Sequence, residues 1–208
     1  MPKFSVIVPA HNSQNFISKG LDSIVNQSYR DYELIIICDK CRDQTDRIAY
    51  DYADIVKITD YGNDGLARNA GLDEASGDWI LFMDHDDWWL HEYAFQIIND
   101  NVDSWSAYGD LDILQFGFIF RHQGYAPPIR NNGAIWPNVW SKCWKRSYIG
   151  DTRFKDIQME SDLYFTLKLI TQARQQPNIK FLEQPLYYYN YMFPGSQTWL
   201  KKHGLPIT

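Results

Sequence analysis

Three carboxylates fall within four positions where an apolar run ends: Trp79-Ile80-Leu81-Phe82-Met83 is followed at once by Asp84-His85-Asp86-Asp87. Carboxylates this close repel one another unless a cation or several donors compensate. A divalent cation such as Mn²⁺ or Mg²⁺ takes oxygen ligands, keeps some of its waters and can bridge two phosphates. An acidic surface turn would carry the same residues, so the surrounding elements have to decide. The run before the acids is short and bounded by polar residues, the mark of a buried strand. The acids then stand where a strand leaves its sheet, the edge at which open α/β sheets bind ligands.

The elements that would position them alternate along the first half. Phe4 to Val8 reads as a strand stopped by Pro9, and Asn12 or Ser13 can cap a helix that buries Ile17, Leu21, Ile24 and Val25. Glu33 to Cys38 is a second buried strand, closing a βαβ unit. Asp43 can cap a short helix with Ile48, Ala49 and Tyr52, and Ile55 to Ile58 is a third strand. A turn at 61–65 leads into a helix from Leu66 to about Ala75, with Gly77 as its stop. Such alternation implies an α/β fold with a largely parallel, twisted sheet covered on both faces.

Past Tyr93 the texture changes. A helix around Ala94, Ile97 and Ile98 precedes a strand-like run from Asp112 to Phe120. Trp136, Trp140 and Trp144 recur every fourth residue and read as one helical stripe, serving the core or stacking on a sugar. A helix from about Glu160 to Thr171 and an aromatic strand from Leu186 to Tyr191 follow. The expected organisation is one domain over 1–208: a ligand-binding half to about 95, a smaller β-rich half over about 96–192, and a tail from 193.

Composition narrows the partners. The chain has 208 residues and a formal net charge of −6. That argues against a nucleic-acid backbone, whose binders carry clustered excess Lys and Arg. An anionic phosphate substrate would then need a metal or local donors. Three cysteines cannot build a disulfide framework. Cys38-x-x-Cys41 reads as two reduced thiols rather than a redox pair or half a zinc site. No signal peptide or apolar run of membrane-spanning length is evident, so the expected location is the cytoplasm or the membrane periphery.

No Gly-rich phosphate loop is present, so Asp84, Asp86 and Asp87 are the hard ligands left to grip a diphosphate through a cation. Asp39 ends the second strand beside Pro9-Ala10-His11-Asn12, where the first strand ends. A carboxylate there can accept the imino proton of a pyrimidine, or simply bind its own turn.

Four ordered segments carry a resemblance: Ser-Val-Ile-Val-Pro-Ala-His-Asn (5–12), Glu-Leu-Ile-Ile-Ile-Cys-Asp (33–39), Gly-Leu-Ala-Arg-Asn-Ala-Gly-Leu (65–72) and Gly-Asp-Trp-Ile-Leu-Phe-Met-Asp-His-Asp-Asp-Trp (77–88). Together they resemble a family 2 glycosyltransferase with the GT-A fold, strongly over about the first ninety residues. The likeness continues more weakly through Met159 to Phe165 and Pro185 to Tyr189. It implies inverting transfer of a sugar from a nucleotide donor, usually UDP-linked, to a saccharide or other hydroxyl acceptor. By position, Asp39 would read the base in a pocket lined by Pro9, Ala10, His11 and Asn12. Arg68 would approach the nucleotide and Asp84 the ribose. Asp86, with Asp87, would hold Mn²⁺ or Mg²⁺. His85 would reach the donor sugar or metal, or point to solvent.

Asp162 falls where the family places its catalytic base. It also heads an amphipathic helix, and a helix N-terminus favours the ionised carboxylate. The chain departs from the family at Cys38, where an acid is usual, at Lys40-Cys41 for Gly-Ser, at His11 for an aromatic, and at Ser161 for Glu. A catalytically impaired nucleotide-sugar-binding protein on the same fold is the alternative. A nucleotidyltransferase would show a Gly-rich basic loop after strand one. The short second half points to a partner or a second copy completing the acceptor site.

Overall fold

The computed structural model describes residues 1–107, 109–130, 132–157, 160–171, 176–191, 194 and 202–204. Met159 and most of the tail after 193, both singled out in the sequence, lie outside them.

Strand β1 (Phe4–Ala10) leads through α1 (Ile17–Val25) to β2 (Tyr32–Asp39), then α2 (Thr45–Tyr50), β3 (Ile55–Thr59), α3 (Asp64–Glu74) and β4 (Trp79–Phe82). There follow β5 (Trp88–Trp89), α4 (Ala94–Ser106), β6 (Ile113–Phe120), β7 (Gly124–Ala126), β8 (Lys142–Lys145), α5 (Arg146–Ile149), α6 (Ser161–Thr171) and β9 (Ile179–Tyr189). The strands form one sheet in the order β3-β2-β1-β4-β8-β6-β9-β5, with β7 on β6. It is parallel through β3, β2, β1 and β4. It turns mixed where β8 enters antiparallel to both β4 and β6. Strands from both halves of the sequence thus share one sheet.

Both faces of the central strands are apolar, and successive side chains divide between them. Phe4, Val6 and Val8 join Leu34, Ile36 and Leu81 under α1 and α4, with Ile17, Leu21, Phe95 and Ile98 among the buried partners. On the other face Ile7, Ile35, Ile37, Ile80 and Phe82 meet Ala67 and Ala70 of α3 and Phe165 and Leu169 of α6. Gly71 lets α3 lie directly on β1, because a methyl group there would overlap the Ile7 side chain.

Pro9 does not stop β1. Ile7 O takes the Met83 N–H on the β4 side, so Pro9, two residues on, presents its missing N–H to the same side. There β4 has already ended at Phe82, and no bond is lost.

Three other expectations change. The cap of α1 is Phe16, without a side-chain bond; Ser13 instead offers its carbonyl to Phe16 and Ile17 and its N–H to Thr45. The start of α3 is capped by Asn63, whose side chain accepts from Leu66 N, and the C-cap is Ala75 rather than Gly77. The three tryptophans form no helical stripe. Trp144 lies in β8 within one core face, Trp140 lies in a turn within the other, and Trp136 sits in an irregular segment with its indole bonded to Pro127 O. Pro137 between them is incompatible with a helix interior.

Candidate active site

The acids following β4 form a tight turn, closed by Asp87 N–H on Asp84 O at 3.1 Å. Their three side chains go three ways. Asp84 pairs with Arg68 Nη2 at 2.7 Å. Asp87 is buried and turned inward: Oδ2 accepts the Tyr187 hydroxyl and Oδ1 accepts Asn190 N–H, each at 2.8 Å. The Tyr187 oxygen in turn accepts Asp84 N–H at 3.1 Å, so one phenol ties β9 to both ends of the turn. Burial, followed by repulsion from Asp86 and Asp84, pushes the Asp87 carboxyl well above the usual range. Each of its oxygens thus accepts one hydrogen bond, and Asp87, expected beside Asp86 as a metal ligand, braces the turn. Of the three, Asp86 alone has a carboxylate with no hydrogen bond or ion pair to another residue among the described residues; its donor is its own backbone N–H.

No group of three or more His, Cys, Asp or Glu side chains converges as a metal cage among the described residues. That composition still fits Mn²⁺ or Mg²⁺, which are commonly held by one or two carboxylates with substrate phosphates and waters completing the shell. Burial and the Asp84 charge raise the Asp86 carboxyl, a strain that a cation would relieve.

His85 does not point idly to solvent. Its Nδ1 lies 3.0 Å from Pro9 O, and a carbonyl can only accept, so Nδ1 carries a hydrogen. Phe16 packs beside the ring at 5.6 Å.

Arg68 departs most from expectation. Its side chain is 4% exposed and ringed by acids. Asp64 is 2.7 Å from Nη1, Asp162 is 3.2 Å from Nη1, and Asp84 is on Nη2. Burial opposes its charge, but the three carboxylates outweigh that and hold its pKa well above the ordinary value. The guanidinium therefore faces the acids rather than standing open to a diphosphate. It joins Asp162 of α6 to Asp84 after β4. Gly65 permits the approach of α3 to α6: a Cβ there would stand 3.1 Å from Ser161 Cβ and from Lys155 O.

Asp162 lies in the first turn of α6, its side chain 23% exposed. Oδ2 accepts Val139 N–H at 3.2 Å. The helix start was expected to favour the anion, yet the pKa is raised from 3.8 to about 6. Burial dominates, and repulsion from Asp84 and Asp64 adds to it against the pull of Arg68 and Val139 N–H. Segment 136–139 that carries Val139 is itself tethered, since the buried Lys142 ammonium donates to the carbonyls of Trp136 and Asn138. Burial lowers the Lys142 pKa to about 7.

The residues expected to line a base pocket come together at the ends of β1 and β2. Asp39 is buried, with Oδ1 accepting the Thr59 hydroxyl at 2.9 Å and Tyr61 N–H at 2.7 Å, and Oδ2 accepting Asn63 N–H at 3.0 Å. Pro9 and Ala10 are buried beside it. His11 donates from Nδ1 to Asp39 O at 2.7 Å, and its Nε2 accepts from Asn12 Nδ2 at 2.9 Å. Asn12 Oδ1 takes Arg42 N–H, fastening the loop after β2. Lys40, where the family usually has Gly, adopts φ +50°, a conformation that favours glycine. Cys38 and Cys41 are free thiols.

Two residues read in the sequence only as part of the turn at 61–65 complete the cluster. Asn63 binds Asp39 through its N–H, and its amide reaches Asp156 Oδ1 at 3.2 Å and Ile157 O at 3.0 Å. Asp64 is the four-residue helical partner of Arg68. The Asn63 cap and the Asp64/Arg68 spacing were the signals available for them.

The sequence profile described as "Glycosyl transferase family 2" matches residues 5–105. Glycosyltransferase GlyA of Streptococcus pneumoniae is 25% identical over 227 residues, covering 96% of this chain and 32% of that protein. Poly(ribitol-phosphate) beta-N-acetylglucosaminyltransferase TarS of Staphylococcus aureus is 35% identical over 209 residues, covering 91% of this chain and 35% of that protein. This chain thus spans about a third of the length of these two relatives. The crystal structure of S. aureus TarS 1–349 in complex with UDP-GlcNAc superposes with a TM-score of 0.76 at 23% identity, over 90% of this chain and 58% of that one. A mannosyltransferase of Pyrobaculum calidifontis, in complex with GDP-Man and Mn²⁺, superposes at 0.64 and 19% identity, over 90% of this chain and 56% of that one. Among the described residues no helix is long and apolar enough to cross a membrane.

Proposed function

We propose that this chain, which belongs to glycosyl transferase family 2 and has the GT-A fold, transfers a sugar from a UDP-linked donor to a hydroxyl acceptor with inversion. One observation carries the reading. Arg68 gathers Asp162, a carboxyl poised near pH 6, into the same ion cluster as the first acid after β4. A base is most effective when its pKa lies near the operating pH.

Asp39 offers a carboxylate oxygen to the imino N–H of the base, with Pro9, Ala10, His11 and Asn12 as the pocket wall. Asp86 is the residue that would hold Mn²⁺ or Mg²⁺, which when bound supplies positive charge where the leaving diphosphate develops negative charge. His85 Nε2 is the ring nitrogen left for the donor. Asp162 takes the proton of the acceptor hydroxyl. That oxygen bonds to the anomeric carbon as the bond to the diphosphate breaks on the opposite face. The likeness to TarS makes UDP-N-acetylglucosamine the first donor to test, with water or a polyol as acceptor.

Asp86→Ala is expected to abolish the Mn²⁺-dependent part of UDP-N-acetylglucosamine binding in calorimetry. Affinity equal to wild type in the presence of Mn²⁺ would refute the assignment of Asp86.

A further inference from the structure

We propose that Asp64 is a positioning residue that sets the pH range in which Asp162 can work, by occupying the guanidinium nitrogen that Asp162 also needs. The inference rests on the reading of Asp162 as the base. Arg68 Nη1 is shared by Asp64 at 2.7 Å and Asp162 at 3.2 Å, the shorter contact going to Asp64. The guanidinium cannot turn to serve Asp162 better: Nη2 is fixed on Asp84 at 2.7 Å, and the side chain is 4% exposed. Asp64 is anchored in turn as the four-residue partner within α3. Asp162 is thus left with the longer contact to its counter-charge and a second carboxylate beside it.

Charged groups face Asp162 from each neighbouring element. Asp64 and Arg68 come from α3, Asp84 from the end of β4 and the Lys142 ammonium from β8. Segment 136–139 contributes only the Val139 N–H. Of the acids, Asp64 alone both repels Asp162 and takes the same Nη1 hydrogens. Neutralising it removes a repulsion and weakens the competing hold on Nη1, and both changes favour the Asp162 anion.

The test is hydrolysis of UDP-N-acetylglucosamine in Mn²⁺, water standing in for the acceptor, followed from pH 4.5 to 8.5. Asp64→Asn is expected to move the acid limb down by about one pH unit. At a pH one unit below the wild-type midpoint it then shows about fivefold more of its own plateau rate. The plateau itself falls, because a less basic carboxylate accepts a proton less readily. Asp64→Glu, which keeps the charge, leaves the limb in place. A merely structural Asp64 would lower the rate at every pH and move no limb. Asp64→Ser makes the same comparison should the amide disturb the start of α3.

Carbon-13 resonances of the Asp162 carboxyl, assigned by Asp162→Asn, give a readout without turnover. A titration of Asp162 unmoved by Asp64→Asn overturns the proposal. So does an unmoved limb in an enzyme that still requires Asp162. A shifted titration in a protein whose Asp162→Asn variant still turns over leaves the Asp64 coupling standing and removes Asp162 as the base.

Discussion

Replacing Asp162 by Asn should make the protein more stable while it stops transfer. A carboxyl whose pKa rises on folding binds its proton more tightly in the native state, so its ionisation costs native stability. For Asp162 the rise is from 3.8 to about 6, which corresponds to about 3 kcal/mol. The sign follows from the order of titration. Below about pH 4 both states are protonated and nothing is lost. Between about pH 4 and 6 the unfolded chain ionises while the folded one resists, and stability falls. Above about pH 6 the whole cost is present. Asparagine copies the protonated acid in shape and can still accept Val139 N–H, and Arg68 keeps Asp64 and Asp84. Urea unfolding of both proteins at pH 4 and pH 8 isolates the residue, since every other titrating group is common to the pair. The variant should exceed wild type by up to about 3 kcal/mol at pH 8 and by less than about 1 kcal/mol at pH 4. A variant less stable than wild type at pH 8 would mean that the Arg68 pair, not burial, governs Asp162, and the reasoning would fail.

Two further outcomes test the packing around the site. Tyr187→Phe removes the hydroxyl that donates to Asp87 and accepts from Asp84 N–H, and should cost about 1–3 kcal/mol in urea unfolding; an unchanged midpoint would show that the hydroxyl does not brace the turn. Gly71→Ala should cost about 1–3 kcal/mol, since its methyl group meets Ile7 where α3 crosses β1; wild-type stability would show that the helix can shift without loss.

The parallel strands were legible because a strand buried on both faces is written as a continuous apolar run, and β1, β2 and β4 are such runs. The tryptophan spacing misled because periodicity alone does not see Pro137, nor that Trp140 and Trp144 lie on opposite faces of the sheet. Asp87 could not be distinguished from Asp86 in sequence. Its partners Tyr187 and Asn190 are about a hundred residues away on or beside β9, and inward or outward is decided by the fold. Arg68 and Asp162 were placed in the site, but their electrostatic state was not legible. A helix start argues for an ionised Asp162, and only tertiary burial beside Asp84 and Asp64 reverses the sign.

In the role proposed for Asp39 as reader of the base, its three donors have a consequence for which nucleotides would enter. A carboxylate offers about four lone-pair directions, and Thr59, Tyr61 and Asn63 fill three of them. In that role the remaining place on Oδ2 would work as a polarity filter. A base edge that brings an N–H there, as uracil and guanine do, completes the set. Cytosine and adenine bring a ring nitrogen lone pair to the corresponding position, and two lone pairs would then face each other in a buried pocket. Discrimination of this kind comes from rejecting the wrong edge more than from rewarding the right one. The end of β3 and the loop from it to α3, by using up the other three directions, would make the fourth selective.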